Sequence, residues 1–363
     1  MKTIIFGGSF DPIHNGHIEI AKKSKEIINA DRVVFIPARS PRWKSPRTNA
    51  LDRINMLSLA IKEYDYMEIN EIEISSTDEI NYTYNTITKL KRNEDEEFYF
   101  LIGADQVERL HEWYRIEELS KLVHFIAFDR PNYSLNLNNV NKYHVEVIGS
   151  YISSMSSSSL RECRCLDAPK CILDYISDKR LYYMERLENY MNEKRIIHSI
   201  SVASLCYEIA LNNGVNPYKA YQAGILHDIG KYVDIDKQMQ IIRQNYDEKY
   251  IHIQKALYHQ FTSHYLCIND FKIEDKELLE AILYHSTGSS NLSKLGKILY
   301  ASDKIEPTRG FDSKELVKSC IENIDKGFEL VLKENIEYFI RKGIDYHNPL
   351  MDSCINHYLP RRK

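Results

Sequence analysis

Short apolar runs alternate with helically spaced segments through the first half of the chain, and the alternation stops near residue 180. Thr3 to Phe6, Arg32 to Pro37, Glu97 to Ile102, Val123 to Phe128 and Val145 to Ile148 have the length and the β-branched or aromatic content of strands. Between them, Leu51 to Tyr64 and Tyr82 to Lys91 carry apolar residues at three- and four-residue spacing and predict helices. Strand and helix in alternation predict a doubly wound parallel sheet covered on both faces. From about Tyr183 onward the strand signals vanish. Ile197 to Asn212, Pro217 to Leu226, Asp275 to His285 and Ser313 to Lys333 predict an all-helical second half. No Gly/Ser- or Pro-rich linker separates the halves, so the boundary between Ser177 and Asn192 is soft. We place it to give an α/β domain over 1–184 and an all-α domain over 185–363.

Composition narrows the picture. The chain's 363 residues, 43% of them hydrophobic, suffice for two independent cores. Forty-eight basic against fifty-two acidic residues leave a formal charge of -4, so no global field attracts nucleic acid or an acidic membrane, and phosphate recognition must be local. Seven cysteines, an odd number, do not form a disulfide framework, and no secretory signal opens the chain. No apolar run approaches the roughly 18 residues that span a bilayer. A cytoplasmic location is expected, with neither nucleic acid nor membrane as partner.

The strongest local signal follows the first strand. Gly7-Gly8-Ser9-Phe10-Asp11-Pro12-Ile13-His14-Asn15-Gly16-His17 joins a strand to a helix. Such a unit presents unpaired backbone N–H groups and the positive helix end to phosphate. Gly7 and Gly8 permit close approach, and His14 and His17, three apart on one helix face, can reach the same phosphate group. The chain has neither G-x-x-x-x-G-K-[ST] nor G-x-G-x-x-G, which argues against a P-loop kinase and a dinucleotide-dependent dehydrogenase. Nucleotidyl transfer remains.

The turn resembles that of the H-x-G-H nucleotidyltransferases, and specifically of bacterial nicotinate-nucleotide adenylyltransferases. Matches continue through Pro41, Lys44, Arg53, Tyr82-Thr83, Gly103-Ala104-Asp105, Trp113-Tyr114, Arg130-Pro131 and Ser156-Ser157-Ser158-Ser159-Leu160-Arg161, and close with Tyr175-Ile176 and Leu181-Tyr182. The resemblance implies attack by the phosphate of nicotinate mononucleotide on the α-phosphorus of ATP, with pyrophosphate leaving. Catalysis would then rest on positioning and charge neutralisation. It implies that His14 and His17 hold the ATP phosphates within the turn Gly7, Gly8, Ser9 and Phe10. Lys44, Arg161 and the hydroxyls of Ser156, Ser157 and Ser158 would bind the triphosphate, with Mg²⁺ accompanying ATP. Tyr82, Thr83 and Trp113 would place the nicotinate ring, Asp105 a ribose, and Gly103 and Arg130 further substrate contacts. The family usually has histidine where Trp43 stands and aspartate where Asn85 stands. Nicotinamide mononucleotide and phosphopantetheine are the competing acceptors, the latter disfavoured by Trp113 and the Gly103-Ala104-Asp105 series.

A second constellation lies in the helical half. His227-Asp228 closes a predicted helix, with His198 upstream and Asp303 in the apolar segment Tyr300 to Pro307. Four such imidazole and carboxylate ligands resemble the metal site of HD-domain proteins, a mixed set suited to Fe or Mn and also to other divalent ions. His259 and His285 add a second pair and suggest a dinuclear centre that activates water and clamps leaving oxygens. Lys231, three residues after Asp228, and Arg309, six after Asp303, add cations near this set. His252 and His264 fall in no motif, and Cys163, Cys165 and Cys171 are too few for a zinc site.

Arg195-x-x-His198-Ser199, Ala223 to Lys231, Tyr284 to Gly288 and Ser302 to Pro307 with Arg309 resemble the small HD proteins that split diadenosine tetraphosphate into two ADP. In that family alanine is common where Gly230 stands. The resemblance implies a bifunctional enzyme acting on ATP, nicotinate mononucleotide and a dinucleoside polyphosphate, whose phosphates Lys231 and Arg309 would bind. The alternatives for this half are another nucleotide phosphohydrolase or a nucleotide-sensing module.

Overall fold

The computed structural model describes residues 1–39, 46–77, 80–91, 96–129, 135–150 and 156–359. The chain divides into two compact units. The first holds Met1–Ser158 and Asp167–Asp178; the second holds Ser159–Leu166 and Lys179–Lys363.

The first unit is built on six strands: β1 (Lys2–Gly8), β2 (Arg32–Pro37), β3 (Met67–Ile69), β4 (Glu97–Gly103), β5 (His124–Asp129) and β6 (Glu146–Ser150). Their order is β3-β2-β1-β4-β5-β6, and every pairing is parallel. Thr3 of β1 lies opposite Arg32 of β2 on one side and Phe98 of β4 on the other. The strand order reverses between β1 and β4, so the loops leaving their carboxyl ends diverge and open a crevice there.

Alternate residues of the strands supply the two faces. Ile5, Val34, Phe98, Phe100, Ile102, Phe125 and Ala127 pack with Val107, Leu110 and Leu119 into one core. Ile4, Phe35, Leu101 and Ile126, from the intervening positions, are also buried, so helices cover the sheet on both sides. Five strands coincide closely with the expected apolar runs. The sequence reading misses β3, a three-residue edge strand in which only Met67 is buried. Three residues are too few to show a period.

The second unit is helical. Several of its helices begin on side-chain caps that satisfy unpaired first-turn N–H groups. Asn192 accepts from the Arg195 amide before Glu193–Asn212, and Asn216 from Tyr218 and Lys219 before Pro217–Leu226. Asp275 caps Lys276–Tyr284, and Ser293 caps Lys294–Ile305. Glu193–Asn212 and Pro217–Leu226 approach so closely that a Cβ on Gly224 would lie 2.7 Å from the Ala203 amide nitrogen.

The single helix expected over Ser313 to Lys333 is two, Lys314–Glu322 and Ile324–Lys342. Asn323 is extended at φ -160° and its side chain accepts from the Lys326 amide. An asparagine that can cap competes with helix continuation, and apolar spacing alone does not reveal the break. Ser159–Leu166 is rooted in this unit by Cys163, which is fully buried and whose carbonyl accepts from Gln222 Nε2 at 2.6 Å. No helix among the described residues is long and apolar enough to cross a membrane.

Candidate active sites

In the first unit the turn after β1 enters the helix Asn15–Ile28 through His14, the N-cap. The His14 amide donates to Nδ1 of His17 at 3.3 Å, which leaves Nε2 of His17 to carry the proton and donate outward. The two rings lie 3.8 Å apart at 32°. Phe6 and Phe10 pack against His17, with centroids 6.0 and 5.3 Å away, and fix its orientation. The helix end behind this pair adds partial positive charge.

Several side chains hold the turn in shape. Arg53, 1% exposed, donates from one guanidinium nitrogen to the carbonyls of Ser9 and Ala38, both at 2.8 Å. Asp11, also buried, accepts from the Arg47 amide at 2.7 Å. Ser157 Oγ donates to the Pro12 carbonyl at 2.9 Å, which brings the serine stretch to the turn. Ser156 precedes the helix Ser157–Arg161, which contains Ser158 and ends on Arg161.

At the carboxyl end of β4, Gly103 caps Ala104–Glu108 and Asp105 lies exposed in its first turn, accepting from Gln106 Nε2. Tyr82 caps Thr83–Leu90, and its ring lies 4.5 Å from that of Tyr114, a partner the site assignment lacked. Trp113 is half-buried, edge-on to Phe100 and Phe125. Burial pushes the Glu73 carboxyl up to about 7, an effect that donation from the Thr86 hydroxyl only partly offsets. Lys44 and Arg130 lie outside the described residues.

In the second unit the six expected ligands converge from five helices. His198 lies within Glu193–Asn212, His227 and Asp228 follow Pro217–Leu226, and His259 opens Tyr258–Asn269. His285 follows Lys276–Tyr284, and Asp303 lies within Lys294–Ile305. All six are buried. Donor atoms of His198, His227 and Asp303 lie within 4.8 Å of one another, as do those of His227, Asp228 and His285. His259 Nε2 is 3.1 Å from Asp228 Oδ1 and 3.1 Å from His285 Nε2.

Backbone geometry decides which ring nitrogen is available. Nδ1 of His227 donates to the Gly224 carbonyl, Nδ1 of His259 to Ala256 and Nδ1 of His285 to Ile282, at 2.7, 2.8 and 2.7 Å. Nδ1 of His198 donates to Glu306 Oε1 at 2.9 Å. With Nδ1 committed, each imidazole in its neutral form offers the Nε2 lone pair to the cluster, and on His227 a proton takes that place when no metal is bound. His227 Nε2 and Asp228 Oδ1 have no hydrogen-bond partner among the described residues. Ser286 Oγ stands 3.1 and 3.0 Å from Nε2 of His259 and His285, with one proton for two acceptors. A buried donor set with more lone pairs than protons fits a divalent cation.

The electrostatics agree. Burial opposes charge on His227, yet the Asp228 and Asp303 carboxylates outweigh it and lift its imidazole to about 9. Burial likewise opposes ionisation of Asp228 and Asp303, but the neighbouring imidazoles and, for Asp303, the Lys304 ammonium first of all, hold both well below the usual carboxylate range. Cations ring the site. Arg195 pairs with Asp228 at 2.7 Å, Lys304 and Arg309 with Asp303 at 2.6 Å each, and Lys231 Nζ lies 3.2 Å from His259. Arg195, Ser286, Lys304 and Glu306 were not among the expected site residues. Arg195 sits three residues before His198 on one helix face, a signal that could have found it. The two histidines left unassigned stay apart: His252 is exposed, and His264 is engaged with the Tyr246 hydroxyl.

Residues 5–162 match the Cytidylyltransferase-like family and residues 195–308 the HD domain family. The "Probable nicotinate-nucleotide adenylyltransferase/Ap4A hydrolase" of Mycoplasma genitalium is 31% identical over 342 residues, covering 92% of this chain and 97% of that protein. The chain belongs to this adenylyltransferase/Ap4A hydrolase family. A "Probable nicotinate-nucleotide adenylyltransferase" of Bacillus cytotoxicus is 39% identical over 195 residues, 50% of this chain and 99% of its own. A solved structure from Clostridium acetobutylicum, described as a "predicted HD superfamily hydrolase involved in NAD metabolism", is 29% identical and covers 52% of this chain and 98% of its own, with a TM-score of 0.45.

Like the family's named members, this adenylyltransferase/Ap4A hydrolase homologue is an enzyme with a nucleotidyltransferase domain and an HD hydrolase domain. The HD domain implies a divalent-metal site, and the two buried His/Asp groups are its candidates.

Proposed function

We propose that the first unit transfers the adenylyl group of ATP to nicotinate mononucleotide. The acceptor's phosphate oxygen forms a bond to the α-phosphorus, the bond from that phosphorus to the bridging oxygen breaks, and pyrophosphate leaves with nicotinate adenine dinucleotide as product. His17, proton on Nε2 and ring braced by Phe6 and Phe10, donates to the charge that grows on the phosphoryl oxygens. His14 and the helix end hold the neighbouring phosphates. Ser156, Ser157, Ser158, Lys44 and Arg161 are assigned to the triphosphate with Mg²⁺, and Gly103, Asp105, Tyr82, Thr83, Trp113 and Arg130 to the nucleoside ends, on family resemblance. His17→Ala is expected to lower kcat by about 10²–10³-fold, the loss typical of one oxyanion donor, read from pyrophosphate release.

For the second unit we propose symmetrical hydrolysis of diadenosine tetraphosphate. Water adds at one of the two inner phosphorus atoms, the central P–O–P bridge opens, and each half leaves as ADP. His198, His227, Asp228, His259, His285 and Asp303 would hold two divalent ions, Fe or Mn. Those ions, when bound, lower the pKa of a water and neutralise the leaving oxygens. Arg195, Lys231 and Arg309, already at the rim, supply the cations for the outer phosphates.

The observation that carries this reading is the convergence of four imidazoles, with their Nε2 atoms turned inward, and two carboxylates. Its test is chromatography of products from the metal-loaded protein and diadenosine tetraphosphate. ADP as sole product, lost in Asp228→Ala, supports it. Intact substrate, or AMP with ATP, sinks it.

A further inference from the structure

Three of the four imidazoles at the second site fix their Nδ1 proton on a backbone carbonyl three residues earlier. Each stands at or next to a helix boundary: His227 and His285 follow Pro217–Leu226 and Lys276–Tyr284, and His259 opens Tyr258–Asn269 and reaches back to a carbonyl before it. His198 stands inside Glu193–Asn212, where the carbonyls are engaged in the helix. Its Nδ1–H must find an acceptor elsewhere, and Glu306 Oε1 is at 2.9 Å.

Glu306 is itself held firmly. Its side chain is 1% exposed, Oε1 accepts from Thr308 Oγ1 at 2.7 Å, and Oε2 accepts from the Thr308 amide at 2.6 Å. It directly follows Lys294–Ile305, whose Asp303 lies 3.2 Å from the other ring nitrogen, Nε2. Two acids three residues apart thus grip the two nitrogens of one ring. The imidazole has no freedom to turn its lone pair away.

We propose that Glu306 is a positioning residue of the metal site, fixing His198 in the Nδ1–H tautomer with Nε2 presented to the cation. The inference rests on the reading of the six residues as metal ligands and deepens it. A buried carboxylate on the far nitrogen also makes Nε2 a stronger donor to a metal ion.

The experiment measures Mn²⁺ affinity of the full chain by competition with a fluorescent chelator. Glu306→Leu removes the acceptor and is expected to weaken binding about 100-fold, and Glu306→Gln, which keeps an oxygen but not the charge, about 10-fold. Nitrogen-15 spectra of histidine-labelled, metal-free protein supply a second readout. His198 is expected as the Nδ1–H tautomer in the wild type and as a mixture in Glu306→Leu. Where the leucine variant loses its helical circular dichroism, the near-isosteric glutamine variant decides.

Wild-type Mn²⁺ affinity in the folded Glu306 variants, beside weakened binding in His198→Ala, overturns the role of Glu306 alone. Wild-type affinity in His198→Ala and His227→Ala as well overturns the metal reading, and this inference with it.

Discussion

Each imidazole of the second site commits one nitrogen to the protein and frees the other. A histidine's place in the sequence says nothing about which nitrogen that is; the hydrogen bond to Gly224, Ala256, Ile282 or Glu306 does. This is why motif order pointed to six candidate ligands, while Glu306, inside the same Ser302 to Pro307 segment, was not recognised as a partner of His198. Its function depends on a contact across 108 residues of chain. Glu73 offers a different test at the same scale. Its carboxyl is pushed up to about 7 in the folded chain, above the free value, so the folded state binds the extra proton between the two. Stability is therefore full below the ordinary carboxylate value and falls as pH rises through 7. The urea midpoint of the first unit is expected to drop from pH 5 to pH 8, and Glu73→Gln to flatten that slope and gain about 1–3 kcal/mol at pH 8. An unchanged slope in the variant would assign the pH effect to other groups.

Elements are placed by a few tight approaches that hydropathy cannot show. Gly224 brings Pro217–Leu226 against Glu193–Asn212 and so sets the spacing of His227 from His198; Gly224→Ala is expected to cost about 1–3 kcal/mol by overpacking, read from denaturant unfolding. Gly230 faces Tyr258–Asn269, where a Cβ would lie 2.6 Å from the Ser263 nitrogen and 2.9 Å from the His259 carbonyl. An alanine side chain here would push away the helix that carries His259. Gly230→Ala is expected to weaken Mn²⁺ binding as well as stability, and unaltered binding would show that the helix can yield.

In the first unit the comparable anchor is Arg53. Replacing it with methionine strands the Ser9 and Ala38 carbonyls, at about 1–3 kcal/mol each, and should lower adenylyl transfer by loosening the turn. Strand and helix identities were readable because the sheet is buried on both faces and its apolar runs are continuous. The three-residue β3 and the break at Asn323 were not, since one is too short for a period and the other is decided by a side-chain cap.

At the scale of the molecule, two units with separate chemistry share one chain, and their spectroscopic probes are separate too. Both tryptophans, Trp43 and Trp113, fall in the first unit, whereas most of the helical residues fall in the second. Saturating Mn²⁺ is expected to raise the thermal midpoint seen by circular dichroism, by about 3 kcal/mol of binding free energy at 100 times Kd, and to leave the tryptophan-detected midpoint in place. A shift of both would show that the two units melt as one.

The path of the backbone has its own consequence. It leaves the first unit after Ser158, returns at Asp167 and leaves again after Asp178. No single incision frees both bodies whole: a fragment beginning at residue 185 forfeits Ser159–Leu166 and with it the buried Cys163 and the acceptor for Gln222. Whoever expresses the halves apart must carry Ser159–Leu166 along with the helical fragment or lose the hydrogen bond between Cys163 and Gln222.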